Sequence, residues 1–176
     1  MRPGRKALGA VMALAVLAGC GAEADAPDFV VRNTGVRVRT DALFARSLDF
    51  PTRVESTATA ALEYWGGDWS ALDGRLITFD GAAHVACGTL GNSVGCFDGN
   101  LRISTQDAGQ QVRCVEETVL VHEIGHAVIG DADHTDPRWM DFTPVLEALR
   151  GRPGYVADGE VPCDLAVSVW RHPAPR

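Results

Sequence analysis

The sequence has 176 residues, with 23 acidic against 16 basic side chains and a formal net charge of −7. An acidic chain without a basic stripe would repel phosphate backbones, so nucleic acid is excluded as an expected partner. The length suits one domain built around one core.

The first 19 residues are typical of a bacterial lipoprotein signal peptide. Three basic residues precede a short apolar run that ends in Leu17-Ala18-Gly19-Cys20. This run is too short to span a bilayer comfortably, and small residues precede the cysteine, as cleavage requires. The resemblance implies that Cys20 is acylated and anchors the chain in a lipid bilayer of the bacterial cell envelope. Gly21 after the cysteine favours the outer membrane, on its periplasmic or surface side.

The segment from 20 to 28 is small and polar, which predicts a tether between the lipid and a folded domain at 29–176. Next along the chain, Asp49-Phe50-Pro51 predicts a helix start and Gly66-Gly67 its end. Alternating or β-branched patterns predict strands within 29–40, 75–79 and 101–105. A short helix is predicted at 141–149, followed by a Gly-rich and Pro-rich segment.

Four cysteines follow Cys20, and an even number in an oxidising compartment predicts two disulfides. Of the three possible pairings, Cys87 with Cys96 and Cys114 with Cys163 is preferred. The first bond would close a Gly-rich loop, and the second would join the C-terminal tail to the start of the helix predicted from residue 114. A cysteine-bound zinc is the alternative, but no CxxC spacing supports it.

The segment His122-Glu123-Ile124-Gly125-His126 is the most informative in the chain. Apolar residues at helical spacing predict a helix from 114 to 129, ended by Gly130. Histidines four residues apart share one side of a helix and can bind one tetrahedral metal, with the adjacent glutamate as a general base. The alternative is a solvated helix face whose histidines bind nothing.

A catalytic zinc takes a third protein ligand, so one must come from beyond His126. The stretch HEIGHAVIGDADHTDPRWMD resembles the metzincin clan of zinc metallopeptidases, in particular its matrixin-like branch. The resemblance implies that His122, His126 and His134 hold Zn²⁺ and that Glu123 is the general base. It also implies that Met140 forms the methionine turn beneath the metal.

The spacing of the third ligand departs from the family pattern. Gly130 comes one residue late and His134 two residues late, which gives HExxHxxxGxxxH. Asp131 and Asp133 flank the same bend and are alternative ligands. Glu147, 21 positions after His126, is a further alternative of the thermolysin-like type.

Together these features predict an α+β, zincin-like fold: a small mixed sheet with two main helices, the second carrying HExxH, and a short irregular C-terminal part. The expected function is a zinc-dependent endopeptidase that hydrolyses peptide bonds of a peptide or protein substrate through a metal-activated water. In relatives, the edge strand before the metal helix binds substrate, which points to residues 101–105. The alternative function is a lipid-anchored zinc-binding or adhesion module without proteolytic activity.

Overall fold

The computed structural model describes residues 28–40, 50–107, 112–150 and 169–173. The signal peptide, Cys20, the tether as far as Pro27, and Cys163 lie outside these residues, so their predictions stay predictions. In the described part the chain is α+β, with a mixed sheet and three helices. None of those helices combines the length and apolar character that crossing a bilayer needs.

The elements follow in chain order as β1 (Phe29–Val30), β2 (Arg37–Thr40), α1 (Phe50–Trp65), β3 (Leu76–Asp80), β4 (Val85–Ala86), β5 (Asn92–Ser93), β6 (Gly95–Phe97), β7 (Leu101–Ser104), β8 (Gln106–Asp107), β9 (Val112–Glu116), α2 (Glu117–Ile129), α3 (Thr143–Leu149) and β10 (Val169–Pro173). Short 3-10 turns occur at Trp69–Leu72, Gly88–Leu90 and Pro137–Met140.

The main sheet has five strands in the order β1-β2-β3-β7-β6. Strands β2, β3 and β7 are parallel, and α1 lies in the connection that parallel neighbours β2 and β3 require. Strands β1 and β6 pair antiparallel at the two edges. The predicted edge role of 101–105 is therefore wrong, because β7 pairs on both sides and β6 is the edge strand.

One face of the sheet and the helices share a single core. Ile77 and Phe79 of β3 lie opposite Leu101 and Ile103 of β7, and all four are fully buried. Apolar residues of α1 at helical spacing and the inner face of α2 pack with them: Val54, Ala58, Ala61, Leu62, Leu120, Val121 and Ile124. The core thus fixes α2, which contains the HExxH segment.

The predicted glycine stop of α1 is confirmed. Gly66 has a φ of 76°, and the Gly67 N–H donates to the Leu62 carbonyl at 2.9 Å. A Cβ on Gly67 would lie 2.7 Å from Val128 Cγ1, so the missing side chain lets the end of α1 approach α2 closely.

Two boundaries differ from the sequence prediction. The expected strand at 29–40 is divided by a turn in which Asn33 and Gly35 have φ of 61° and 74°. The helix that contains HExxH begins at Glu117 and not at Cys114, because 112–116 forms β9. Strand β9 pairs along its whole length with β10 at 169–173, so the C-terminal part is not irregular throughout, and 151–162 of the predicted irregular segment lies outside the described residues. Periodicity could not reveal β10, since the partner strand lies more than 50 residues away.

Cys87 and Cys96 lie at disulfide distance, with their sulfurs 2.11 Å apart, which confirms the first predicted pair. This bond joins the loop after β4 to the edge strand β6. The predicted helix at 141–149 is also confirmed as α3 (Thr143–Leu149).

Candidate metal centre

Helix α2 and the loop after it bring three histidines to one point. His122 and His126 are one turn apart, and their Nε2 atoms are 3.1 Å from each other. His134 arrives from the loop, and its Nε2 is also 3.1 Å from the Nε2 of His122. All three candidate ligand atoms lie within 4.8 Å of one another, so these side chains could hold a metal ion.

This arrangement suits a cation better than mutual hydrogen bonds. The Nε2 of His122 is 3.1 Å from two other ring nitrogens, but one nitrogen carries at most one proton to share. Zn–N bonds of about 2.0–2.1 Å imply tetrahedral N–N separations of about 3.3 Å, close to those found here. Burial, with the neighbouring His126 and His134, lowers the pKa of His122 to about 4, which keeps the ring neutral at pH 7.

A backbone carbonyl on the Nδ1 side of His126 fixes the tautomer of its ring. Its Nδ1 lies 3.1 Å from the backbone carbonyl oxygen of Asp131, which can only accept a hydrogen bond. The proton must therefore be on Nδ1, and the Nε2 lone pair faces the other two histidines.

His134 is held in an unusual backbone conformation. Its φ is 55°, in the left-handed region that side chains with a Cβ rarely adopt. Such strain persists where the surroundings fix it, and it is concentrated at functional sites. Here the bend turns the ring of His134 towards α2.

Glu123 lies beside the histidines and is 5% exposed. Burial raises the pKa of its carboxyl to about 7. A Cβ on Gly95 of β6 would lie 2.3 Å from Glu123 Oε1 and 2.6 Å from Val119 Cγ1. Glycine at this position therefore lets the edge strand approach the carboxylate.

The predicted role of Met140 is wrong, because its side chain is 85% exposed. Trp139 takes that place instead: its ring centroid is 4.7 Å from His122, 4.7 Å from His126 and 4.5 Å from His134. An indole has the flat apolar surface that a support for three imidazoles needs. The residue that contacts the three histidines is thus the neighbour of the one that the family resemblance implies.

A second tryptophan supports the first. Trp65, at the end of α1, packs on Trp139 with centroids 4.3 Å apart and donates through Nε1 to the Val121 carbonyl at 2.8 Å. A Cβ on Gly125 would lie 2.6 Å from Trp65 and 2.7 Å from Trp139. The glycine inside HEIGH is thus required by the two indoles, which sequence reasoning did not identify.

Polar contacts connect the loop after α2 to the end of α1. The hydroxyl oxygen of Tyr64 is 2.7 Å from the carbonyl oxygens of both Arg138 and Asp141. The Arg138 guanidinium lies 5.2 Å from the Trp65 ring and forms an ion pair of 2.7 Å with Asp136. These contacts set the position of the turn that carries Trp139.

The alternative third ligands lie elsewhere. Asp131 Oδ2 accepts from the Asp136 N–H, the Trp139 indole N–H and the Thr135 hydroxyl, at 2.9, 3.0 and 3.2 Å. These donors, chiefly the Asp136 N–H, lower the pKa of Asp131 to about 2. Asp133 and Glu147 are exposed and, like Asp131, do not belong to the cluster formed by the three histidines.

Two cavities have His122 and Glu123 in their linings. The first, of ≈ 420 Å³, extends past the Cys87–Cys96 disulfide and Phe97. The second, of ≈ 490 Å³, extends past Val119 and Phe142. The three histidines therefore line the first cavity, and the second cavity meets it at His122 and Glu123.

Comparisons with protein-family models, with curated proteins and with solved structures found no match to this chain. The metzincin resemblance therefore rests on the local motif between 114 and 141.

Proposed function

We propose that this chain is a zinc-dependent endopeptidase in which Glu123 acts as the general base. The observation that supports this most strongly is the convergence of three histidine Nε2 atoms beside a buried carboxylate. The fold has the α+β composition expected of a zincin-like enzyme, and its second helix contains both helical histidines and the glutamate.

The donor set favours zinc. Imidazole nitrogens suit zinc and other late transition metals, whereas calcium and magnesium take oxygen ligands. Structural zinc sites usually have four protein ligands, and a catalytic site has three and leaves a position open. Among the residues described by the structure, His122, His126 and His134 form the whole cluster. When bound, zinc would lower the pKa of a water molecule and polarise a carbonyl group.

Glu123 is suited to proton transfer. Its carboxylate borders both cavities, so it can contact a water molecule and a substrate placed between them. We infer that it accepts a proton from the attacking water and then gives it to the departing amine. Its burial keeps the group from being fully solvated, and the pKa of about 7 lies near the working pH that such a group requires.

The cleft supports cleavage within a chain. Two cavities that share Glu123 in their linings would leave room for residues before and after the scissile bond. Strand β6 lies at the edge of the main sheet and touches Glu123 through Gly95. We therefore propose β6, in place of 101–105, as the strand along which an extended substrate pairs.

The test is a cleavage assay on a denatured protein and a peptide library, with the purified full-length chain. We expect Glu123→Ala to bind zinc as the wild type does but to lose at least about 100-fold in activity, as loss of a general base does. Glu63→Ala, an exposed glutamate on α1, is the matched control and should retain activity.

Two results would contradict the proposal. Unchanged cleavage in Glu123→Ala would remove the assigned base. Zinc binding by the wild type without cleavage of any peptide would favour the alternative, a lipid-anchored zinc-binding or adhesion module. A chelator that abolishes cleavage, followed by recovery with zinc, would separate metal dependence from contamination.

We also propose that acylated Cys20 anchors the enzyme in the cell envelope, most simply in the outer membrane. Detergent phase separation of the expressed chain tests this: the wild type should enter the detergent phase and Cys20→Ala the aqueous phase. Equal partitioning of the two would contradict the anchor.

A further inference from the structure

Asp131 connects parts of the site that are otherwise separate. It follows Gly130, whose φ of 64° ends α2, and so it is the first side chain of the loop that returns to the metal centre. Its backbone and its carboxylate contact different members of the site.

The backbone carbonyl of Asp131 faces α2. It accepts a hydrogen bond from the Nδ1–H of His126 at 3.1 Å, and this bond sets the rotation of the imidazole ring about the Cβ–Cγ bond. The position of this carbonyl therefore decides where the Nε2 of His126 points.

The carboxylate of Asp131 faces the loop. Oδ2 accepts from the Asp136 N–H, the Thr135 hydroxyl and the Trp139 indole N–H, and Oδ1 accepts from the Asp133 N–H at 3.1 Å. Four donors around one carboxylate fix the bend on which His134 lies. A charged acceptor makes such bonds stronger than a neutral one would.

The indole held by this carboxylate supports the metal centre. Trp139 is 9% exposed, and its ring lies within 4.7 Å of the ring centroid of each histidine. The Nε1 of Trp139 is 3.0 Å from Asp131 Oδ2. This bond limits rotation of the indole in its own plane, which packing alone restricts less.

We propose that Asp131 is the positioning residue of the metal centre. Its carbonyl orients the ring of His126, and its carboxylate holds both the loop of His134 and the Trp139 support. This inference depends on the proposed function only in that a metal ion occupies the three histidines. It assigns Asp131 a role different from that of a ligand, since its oxygens are occupied by donors of the loop.

The test measures metal affinity by competition with a chelator, and the visible absorption of the cobalt-substituted full chain. We expect Asp131→Ala to weaken zinc binding about 10- to 100-fold, as loss of groups that orient ligands does, and to alter the cobalt spectrum. The zinc affinity of Asp131→Asn should lie between those of the wild type and Asp131→Ala, because the amide NH₂ of asparagine would face an N–H donor. Asp133→Ala removes the same charge from an exposed position and should stay within about threefold of the wild type.

Trp139→Phe provides a second variant if Asp131→Ala does not fold. It keeps an aromatic ring but removes the N–H that Asp131 accepts together with part of the indole surface, so we expect a loss of affinity with a spectral change of the same kind. Wild-type affinity and spectrum in both Asp131→Ala and Trp139→Phe would overturn the inference. An equal loss in Asp133→Ala would also overturn it, since charge and not position would then explain the effect.

These readouts keep the two proposals separate. A wild-type protein that binds zinc tightly but cleaves no peptide contradicts the proposed function and leaves the affinity comparison valid. A wild-type protein that binds no zinc contradicts both.

Discussion

Packing against the core holds α2 in place, whereas hydrogen bonds to the carboxylate of Asp131 hold the bend that carries His134 in the loop from Gly130 to Asp141. Glu123 is buried and lies against the edge strand, and Gly125 leaves space for two indoles. His134, in contrast, is exposed, and its loop is organised around the carboxylate of Asp131.

The part of the site on α2 is therefore held by the core, and the part in the loop depends on a few hydrogen bonds. Residues on α2 belong to the core or touch it, so changes there should alter stability even without metal. Changes at exposed positions of the loop should affect metal binding while leaving the fold largely intact. Unfolding of the metal-free protein distinguishes these two kinds of change.

The largest expected effect is a gain of stability in Glu123→Gln. A carboxyl whose pKa rises from about 4.5 unfolded to about 7 folded makes the wild type lose stability as the pH rises through this range. Above pH 7 glutamine should therefore stabilise the protein by roughly 3 kcal/mol, and below about pH 4.5 the two should be equal. Denaturant unfolding at pH 4 and pH 8 measures this, and a difference that does not depend on pH would refute the assigned burial effect.

Gly125→Ala should have the next largest effect. In an open helix this change stabilises by about 1 kcal/mol. Here the new Cβ would meet Trp65 and Trp139 at 2.6 and 2.7 Å, so we expect a net loss of about 2 kcal/mol. Thermal unfolding decides the sign, and stabilisation would show that the indoles do not pack on the helix.

The stability difference between a Gly variant and an Ala variant should have opposite signs in the loop and on α2. At His134, with φ of 55°, the Gly variant should be about 1 kcal/mol more stable than the Ala variant. At His126, inside α2, the Gly variant should be about 1 kcal/mol less stable than the Ala variant. All four variants remove a proposed ligand, so unfolding without metal gives a matched comparison. The same sign at both positions would contradict the assigned backbone of the loop.

Met140→Ala should have the smallest effect. Its side chain is 85% exposed, so we expect a change within about 0.5 kcal/mol and unchanged zinc affinity. A loss of zinc affinity comparable to that of a Trp139 substitution would restore the methionine to the role that the family resemblance implies.

The sequence could predict the helix that holds His122 and His126, because a spacing of four residues and an apolar stripe are local properties. Glycine stops at Gly66 and Gly130 were predictable for the same reason. The Cys87–Cys96 pair was predictable from the short loop that it closes.

Contacts between distant parts of the chain could not be predicted in this way. The support by Trp139 depends on Trp65, which is 74 residues away, and nothing local distinguishes it from Met140. Strand β9 was taken for helix because its partner β10 lies near the other end of the chain. The edge position of β6 likewise follows from the order of the whole sheet and not from its own three residues.

The proposed enzyme depends on His122, His126 and His134 binding one zinc ion together. X-ray absorption at the zinc edge of the purified full-length chain tests it most directly. We expect one zinc per chain with three imidazole nitrogens at about 2.0–2.1 Å and a further oxygen ligand, and we expect two imidazoles in the His134→Ala variant. Sulfur ligands, or a spectrum that His134→Ala leaves unchanged, would contradict it.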